Sequence, residues 1–383
     1  MPRLLYVVTH PVTAWRLLEG QLAFMRQKGF EVHLISSPSK ELEIVRNREG
    51  VSTIAIPMQR EIHLLADLVS LFRLYRAIRA LQPDIVNAGT PKAGLLGMMA
   101  SFLARVPVRI YVLRGLRLET KAGFVRFLLT ATERMASACA TRIISVSRSL
   151  RNIYLSMNLA PKNKITVLGG GSSNGIKLGD PSVDDAWLQQ KGAALGIPAG
   201  VPVIGFVGRL TRDKGILELL GSFEHVLSKH PETCLLIVGD YETGDPLPEN
   251  AVQKIREHPR IVFAGFLEDP TPVYHLMDIL VFPSYREGFP NTPLEAAMAA
   301  VPVVAFRATG IVDAVLDGET GILVPTGDTI ALANAICRYL EDGEMRRAHG
   351  KAARKRVELE YQQQVVWSNL LNEYLRLLNA SKA

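Results

Sequence analysis

Cysteine is scarce in this sequence: three in 383 residues (Cys139, Cys234 and Cys337), far apart and without metal-ligand or redox spacing. That excludes a disulfide framework and suits buried thiols in a reducing compartment. Long hydrophobic runs are lacking too. The longest, Ala93 to Ala104, stops at Arg105 and is too short to span a bilayer. The amino terminus runs straight into a predicted strand, Leu4–Val8, without a secretory signal pattern, so a cytoplasmic location is expected. Internal repeats and low-complexity segments are missing. No Asp-x-Asp stands at a strand end, and Asp184-Asp185 falls in a predicted linker, so no catalytic metal is expected.

What is present is unevenly placed. Net charge is +7, yet residues 1–180 carry 25 Lys/Arg against 11 Asp/Glu, while residues 181–383 carry 19 against 26. A basic half beside an acidic half implies an anionic partner for the first: a phosphate-bearing acceptor, an anionic membrane surface or nucleic acid. The length and the 48% hydrophobic content allow two cores of ordinary size.

Short apolar runs alternate with helical patterns. In the first half, strands are predicted at Leu4–Val8, Glu31–Ser36, Ser52–Ile56, Ile85–Asn87, Arg109–Leu113 and Arg142–Val146. Helices are predicted at Leu18–Lys28, Leu64–Leu81, Ala93–Leu103, Ala122–Ala140 and Arg148–Met157. A second series of strands, Val203–Val207, Cys234–Val238, Ile261–Ala264, Ile279–Phe282 and Val303–Ala305, follows a glycine-rich passage at 169–175. The fold class is therefore α/β, with two doubly wound parallel sheets in succession facing a cleft. The boundaries are set at residues 1–177, 178–361 and 362–383, the last a helix.

Two loops carry the chemistry. Glu287-Gly288-Phe289-Pro290-Asn291-Thr292-Pro293-Leu294-Glu295 joins a buried strand to a helix. Thr292 to Glu295 matches a capping box with proline at the first helical position, which by itself explains Glu295 as local structure. It leaves Glu287 unexplained. Eight positions span roughly 12 Å if wholly helical, so the two carboxylates can accept from hydroxyls at both ends of one elongated ligand. The second loop, Gly208-Arg209-Leu-Thr-Arg-Asp-Lys214-Gly215, places two cations and a helix amino terminus after a strand, which suits a diphosphate.

The paired glutamates resemble the motif of retaining glycosyltransferases of family 4, which have the GT-B fold. That resemblance implies a nucleotide diphospho-sugar donor, with a UDP-sugar expected, and no cofactor beyond it. It implies Arg209 and Lys214 on the diphosphate, Glu287 orienting the sugar and Glu295 binding ribose. By the same resemblance, residues 288–292, Gly239, Gly265, Phe266 and Asn174 lie near the donor, Thr309-Gly310 forms a small-residue loop there, and the final helix packs back on the first domain. Asn174-Gly175 reads equally well as a simple turn.

On the acceptor side, Thr90-Pro-Lys92-Ala-Gly94 resembles a segment from the branch that builds bacterial surface glycans. Lys92 is placed on the acceptor, or is a surface lysine at a helix start. His10 ends the first strand, where an isolated histidine is as readily structural. Arg114-Gly-Leu-Arg117 stands where many relatives have His-Gly. Arginine binds phosphate or carboxylate and cannot act as a base. The expected activity is retaining transfer of a sugar to a hydroxyl of a glycan acceptor, with an undecaprenyl-diphosphate-linked saccharide suggested, at the cytoplasmic face of the membrane. A nucleotide-sugar 2-epimerase on the same fold and a non-enzymatic basic binding module are the alternatives.

Overall fold

The computed structural model describes residues 1–59, 63–120, 122–179 and 183–382. The chain divides into two compact units: Met1–Gly175 together with Gln363–Ala383 (unit 1), and Ile176–Gln362 (unit 2). Unit 1 holds seven strands: β1 (Arg3–Val7), β2 (Glu31–Ser36), β3 (Ser52–Ala55), β4 (Ile85–Gly89), β5 (Val108–Leu113), β6 (Arg142–Ser145) and β7 (Ile165–Thr166). They lie in the order β3-β2-β1-β4-β5-β6-β7. Unit 2 holds six: β8 (Val203–Val207), β9 (Cys234–Val238), β10 (Ile261–Gly265), β11 (Ile279–Phe282), β12 (Val303–Phe306) and β13 (Gly321–Val324), in the order β10-β9-β8-β11-β12-β13. Every pairing in both sheets is parallel.

All residues of β8, β9, β11 and β12 are buried. A parallel strand covered by helices on both faces has no wet side, so its sequence is a continuous apolar run. In unit 2 the helices Ile216–Lys229 and Thr329–Glu341 bring Leu219, Phe223, Leu332 and Ile336 onto that sheet. Strand order reverses between β1 and β4 and again between β8 and β11. Loops leaving adjacent strands diverge there, and ligands of open α/β sheets bind at that edge.

Several local expectations change. The predicted helix Leu18–Lys28 is shorter, Gln21–Gln27, and a separate helix that was not expected, Pro11–Leu17, precedes it. The break is at Gly20 (φ +78), where a Cβ would come within 2.6 Å of Trp367 Cη2. A helix at Lys40–Glu49 was not expected, because it is polar around most of its circumference. Asp184 is not in a linker: its side chain accepts from Trp187 N (2.7 Å) and caps the helix Asp185–Leu195.

The helix Gln363–Lys382 belongs to unit 1. Trp367 packs on Phe24, with ring centroids 5.3 Å apart, and the buried Tyr374 lies 6.1 Å from Phe30. The Tyr374 hydroxyl accepts from Asn87 Nδ2 and bonds Tyr6 at 3.2 Å.

Candidate active site

In unit 2 the loops leaving β8 and β11, on the two sides of the reversal, are strapped together. Gly215 has φ +71, and a Cβ there would stand 2.0 Å from Pro283 O, so only glycine permits the approach. Tyr285 N donates to Asp213 O across the same junction (3.0 Å). The loop after β12 closes in as well: Glu287 N donates to Thr309 O (3.0 Å).

This backbone arrangement brings Lys214 and Glu287 into an ion pair, with their side chains only 14% and 18% exposed. Glu287 Oε1 takes both the Lys214 ammonium and the Ser284 hydroxyl (3.0 Å). An ammonium has three donors, so Lys214 can hold Glu287 and a ligand oxygen together. Directly after Gly215 the helix Ile216–Lys229 begins, and its first amides add a partial positive charge.

Glu295 lies in the first turn of the helix Thr292–Met298. The expected capping box does not form. Asn291 is the cap residue and makes no side-chain cap bond. Instead Glu295 Oε2 accepts from the hydroxyl of Tyr274 (2.7 Å), a fully buried residue of the 3-10 helix Thr271–Leu276. Burial holds the Glu295 carboxyl above the usual carboxylate range, and the phenol's hydrogen bond works in the opposite direction. Both glutamates thus have one oxygen tied to the protein. Neither Oε2 of Glu287 nor Oε1 of Glu295 has a hydrogen-bond partner among the described residues.

Arg209, 56% exposed, pairs with Glu242. Gly239 N donates to Gly265 O (2.9 Å) and Gly208 N to Val238 O (3.0 Å), gathering the ends of β8, β9 and β10. Phe266 is exposed (65%). Phe289 and Pro290 are buried, Phe289 packing on Tyr361 with centroids 5.3 Å apart, while Gly288, Asn291 and Thr292 are half-buried. Tyr274, Ser284 and Glu242 escaped the sequence reading. Ser284 stands three residues before Glu287, but nothing local marks the other two.

In unit 1 the expected residues have varied surroundings. Asn174 is buried and held by three hydrogen bonds: Oδ1 accepts from Gln21 Nε2 (3.0 Å) and Trp367 Nε1 (2.7 Å), and Nδ2 donates to Glu19 O (3.0 Å). His10 is exposed and caps the helix Pro11–Leu17, Nδ1 accepting from Val12 N (3.3 Å). Lys92 makes two bonds to Asp67, 2.7 and 2.8 Å. Arg114 follows β5 at the carboxyl edge of the sheet, and Arg117 opens the 3-10 helix Arg117–Thr120. Lys121, in the basic stretch 121–134, lies outside the described residues.

Comparison with known proteins gives the family. A family model described as glycosyl transferases group 1 matches residues 201–342, and one described as a glycosyl transferase 4-like domain matches residues 13–171. The chain is 42% identical over 366 residues to the capsular polysaccharide biosynthesis glycosyltransferase CapM of Staphylococcus aureus, covering 96% of this chain and 95% of that one. It is 28% identical over 319 residues to the Escherichia coli UDP-Gal:alpha-D-GlcNAc-diphosphoundecaprenol alpha-1,3-galactosyltransferase, covering 82% and 81%. Among solved structures, Anabaena HepE in complex with UDP and glucose superposes with a TM-score of 0.81 at 20% identity, covering 98% of this chain and all of that one. Two Rossmann-like units with this likeness are the GT-B architecture. The chain belongs to the group 1 glycosyltransferases.

Proposed function

We propose that this enzyme moves a sugar from a nucleotide diphospho-sugar, UDP-linked, to a hydroxyl of an undecaprenyl-diphosphate-linked saccharide, with retention at the anomeric carbon, in surface polysaccharide assembly. The observation that carries the reading is the contact between Lys214 and Glu287 at the strand-order reversal, with Glu295 held by Tyr274 on the helix that follows. Glu295 Oε1 accepts from ribose, Glu287 Oε2 orients the transferred sugar, and Arg209 and Lys214 hold the diphosphate.

A cation 4 Å from a phosphate oxygen contributes about 4 kcal/mol at an effective dielectric near 20. Two cations and the amides after Gly215 therefore stabilise the charge developing on the leaving group without a metal. Among the described residues, no evident nucleophile stands with these groups for a two-step route. The reading is a front-face transfer in which the departing phosphate helps take the acceptor's proton. The names of the S. aureus and E. coli relatives support the surface-polysaccharide setting and the lipid-linked acceptor.

A lipid-linked acceptor draws the enzyme to an anionic bilayer, and unit 1 offers a face for it. On the helix Leu64–Leu81, Leu64, Leu65, Leu68, Val69 and Phe72 are exposed, while only Ser70, Leu74 and Ile78 are buried. Arg73, Arg76 and Arg79 on that helix are exposed too. Phe124, Val125 and Phe127 add a second apolar patch around Arg126 on the helix Gly123–Cys139. An apolar face edged with arginine suits an anionic interface. No helix among the described residues is long and apolar enough to cross a membrane.

The test is a thermal-shift panel of nucleotide sugars followed by transfer to a synthetic undecaprenyl-diphosphate saccharide. A donor at 100 times its Kd adds about 2.7 kcal/mol. Lys214→Ala should lose that shift, Glu287→Ala should abolish transfer, and NMR of the product should show the donor's anomeric configuration. Full transfer by Glu287→Ala, or an inverted product, refutes the reading.

A further inference from the structure

Elsewhere in unit 1, sheltered cations are matched with acceptors: Lys92 with Asp67, Arg142 with Glu373, and Arg109 with the carbonyls of Val106 and Cys139. Arg114 is not. Its Nε and Nη1 are shut off from solvent and have no hydrogen-bond partner among the described residues. Burial lowers its pKa to about 10, so it stays charged at neutral pH. The titratable groups that act on its charge are the phenols of Tyr374 and Tyr6. Gly89, at the end of β4, leaves the space its side chain fills: a Cβ there would lie 2.8 Å from Arg114 Nε.

The guanidinium borders a cavity of about 30 Å³, lined also by Gln21, Asn87, Ser145, Ser172 and Ser173, with no Asp or Glu in its wall. Ser172 Oγ already accepts from Gly175 N (3.0 Å), which leaves its proton to donate. A lone sheltered cation disfavours folding unless an anion joins it. The cavity has room for roughly two waters, or for two oxygens of one phosphate.

We propose that Arg114 and this serine-lined cavity form an oxyanion subsite of unit 1 that takes a phosphate group of the acceptor. A guanidinium left without acceptors where it lines the cavity suits an anion, and the serine hydroxyls supply further donors. Assigning the phosphate to the acceptor rests on the proposed function. The oxyanion subsite itself does not.

The test uses enzyme saturated with UDP, so that the cations of unit 2 are occupied. Inorganic phosphate, and separately acetate at matched ionic strength, are titrated calorimetrically into wild type, Arg114→Gln and Arg114→Lys. The Kd for phosphate should rise at least tenfold in Arg114→Gln and less in Arg114→Lys, with UDP affinity unchanged. Without phosphate, the Tm of Arg114→Gln should equal or exceed that of wild type, since an uncompensated charge has gone. A saccharide 1-phosphate, but not the neutral saccharide, should compete with phosphate.

Equal phosphate binding by wild type and Arg114→Gln overturns the proposal, as does no phosphate binding by wild type. Binding of acetate in preference to phosphate overturns the phosphate assignment. Should Arg114→Gln fail to fold, Arg114→Lys decides: it keeps the charge but loses the planar fork, and unchanged phosphate affinity sinks the idea. Failure of UDP to bind would remove the donor site of unit 2 while leaving an Arg114-dependent phosphate titration standing.

Discussion

Replacing Tyr274 by phenylalanine removes one oxygen from a fully buried ring and leaves its volume intact. What is lost is the 2.7 Å hydrogen bond to Glu295 Oε2. A hydrogen bond to a charged group contributes about 1.5–3 kcal/mol. For a domain of this size each kcal/mol moves Tm by about 2–4 °C, so a loss of about 2 kcal/mol lowers Tm by about 4–8 °C. The direction with pH is also set. Burial raises the Glu295 carboxyl above its usual range and the phenol counters this, so Tyr274→Phe raises it further. A carboxyl raised on folding contributes stability that is full below its unfolded pKa and is lost as pH rises through the folded value. The variant's deficit should therefore be largest above that value and shrink in acid.

If Glu295 accepts from ribose in its ionised form, UDP affinity should fall away at a higher pH in Tyr274→Phe than in wild type. Near neutrality, a loss of about 1.4 kcal/mol in positioning weakens it about tenfold. Scanning fluorimetry from pH 4 to 8 and UDP calorimetry over the same range measure both effects. A Tm deficit that is constant with pH, together with unchanged UDP affinity, refutes this role for Glu295.

Gly215→Ala places a Cβ 2.0 Å from Pro283 O at a φ of +71. The strain of about 1–3 kcal/mol, plus the forced separation of the two loops, should lower Tm and weaken UDP binding together. A variant with wild-type affinity counts against the strapped-loop description. Glu133 Oε2 accepts from the hydroxyls of Tyr111 and Tyr154 (3.0 Å each), and burial pushes its carboxyl up to about 7. Wild-type stability should thus decline as pH rises through 7, by at most about 1.4 kcal/mol per unit. Glu133→Gln should flatten that slope in denaturant titrations at pH 6 to 8, and an unaltered slope contradicts the assignment. In liposome flotation, wild type should bind vesicles containing phosphatidylglycerol, and Leu68→Gln with Phe72→Gln should release it without a change in UDP affinity. Equal flotation of the two proteins removes that face as the contact.

Much of the fold was legible because buried parallel strands declare themselves as apolar runs. β8, β9, β11 and β12 are of this kind. The two site loops were legible because charged residues and glycine in a strand-to-helix connection have few structural uses. Short or polar elements were not: β7 is two residues long, and the helix Lys40–Glu49 has little apolar periodicity. The break at Gly20 depends on Trp367, far along the chain. Pairings across long separations were the least visible. Thr292 to Glu295 carries every local sign of a capping box, yet a tyrosine 21 residues upstream takes the carboxylate. Asp67 on Lys92 and Glu242 on Arg209 are likewise choices made by tertiary packing.

The helix Gln363–Lys382 has a consequence for biosynthesis. Unit 2 is contiguous along the chain, whereas unit 1 takes its closing piece from residues translated after all of unit 2. Until Trp367 and Tyr374 leave the ribosome, the ring of Phe24 and the polar groups of Asn174 and Asn87 lack their partners. Unit 2 can reach its native form during elongation, while the amino-terminal unit, although made first, matures last. A chain truncated after residue 362 would therefore carry a complete unit 2 and a protease-sensitive unit 1.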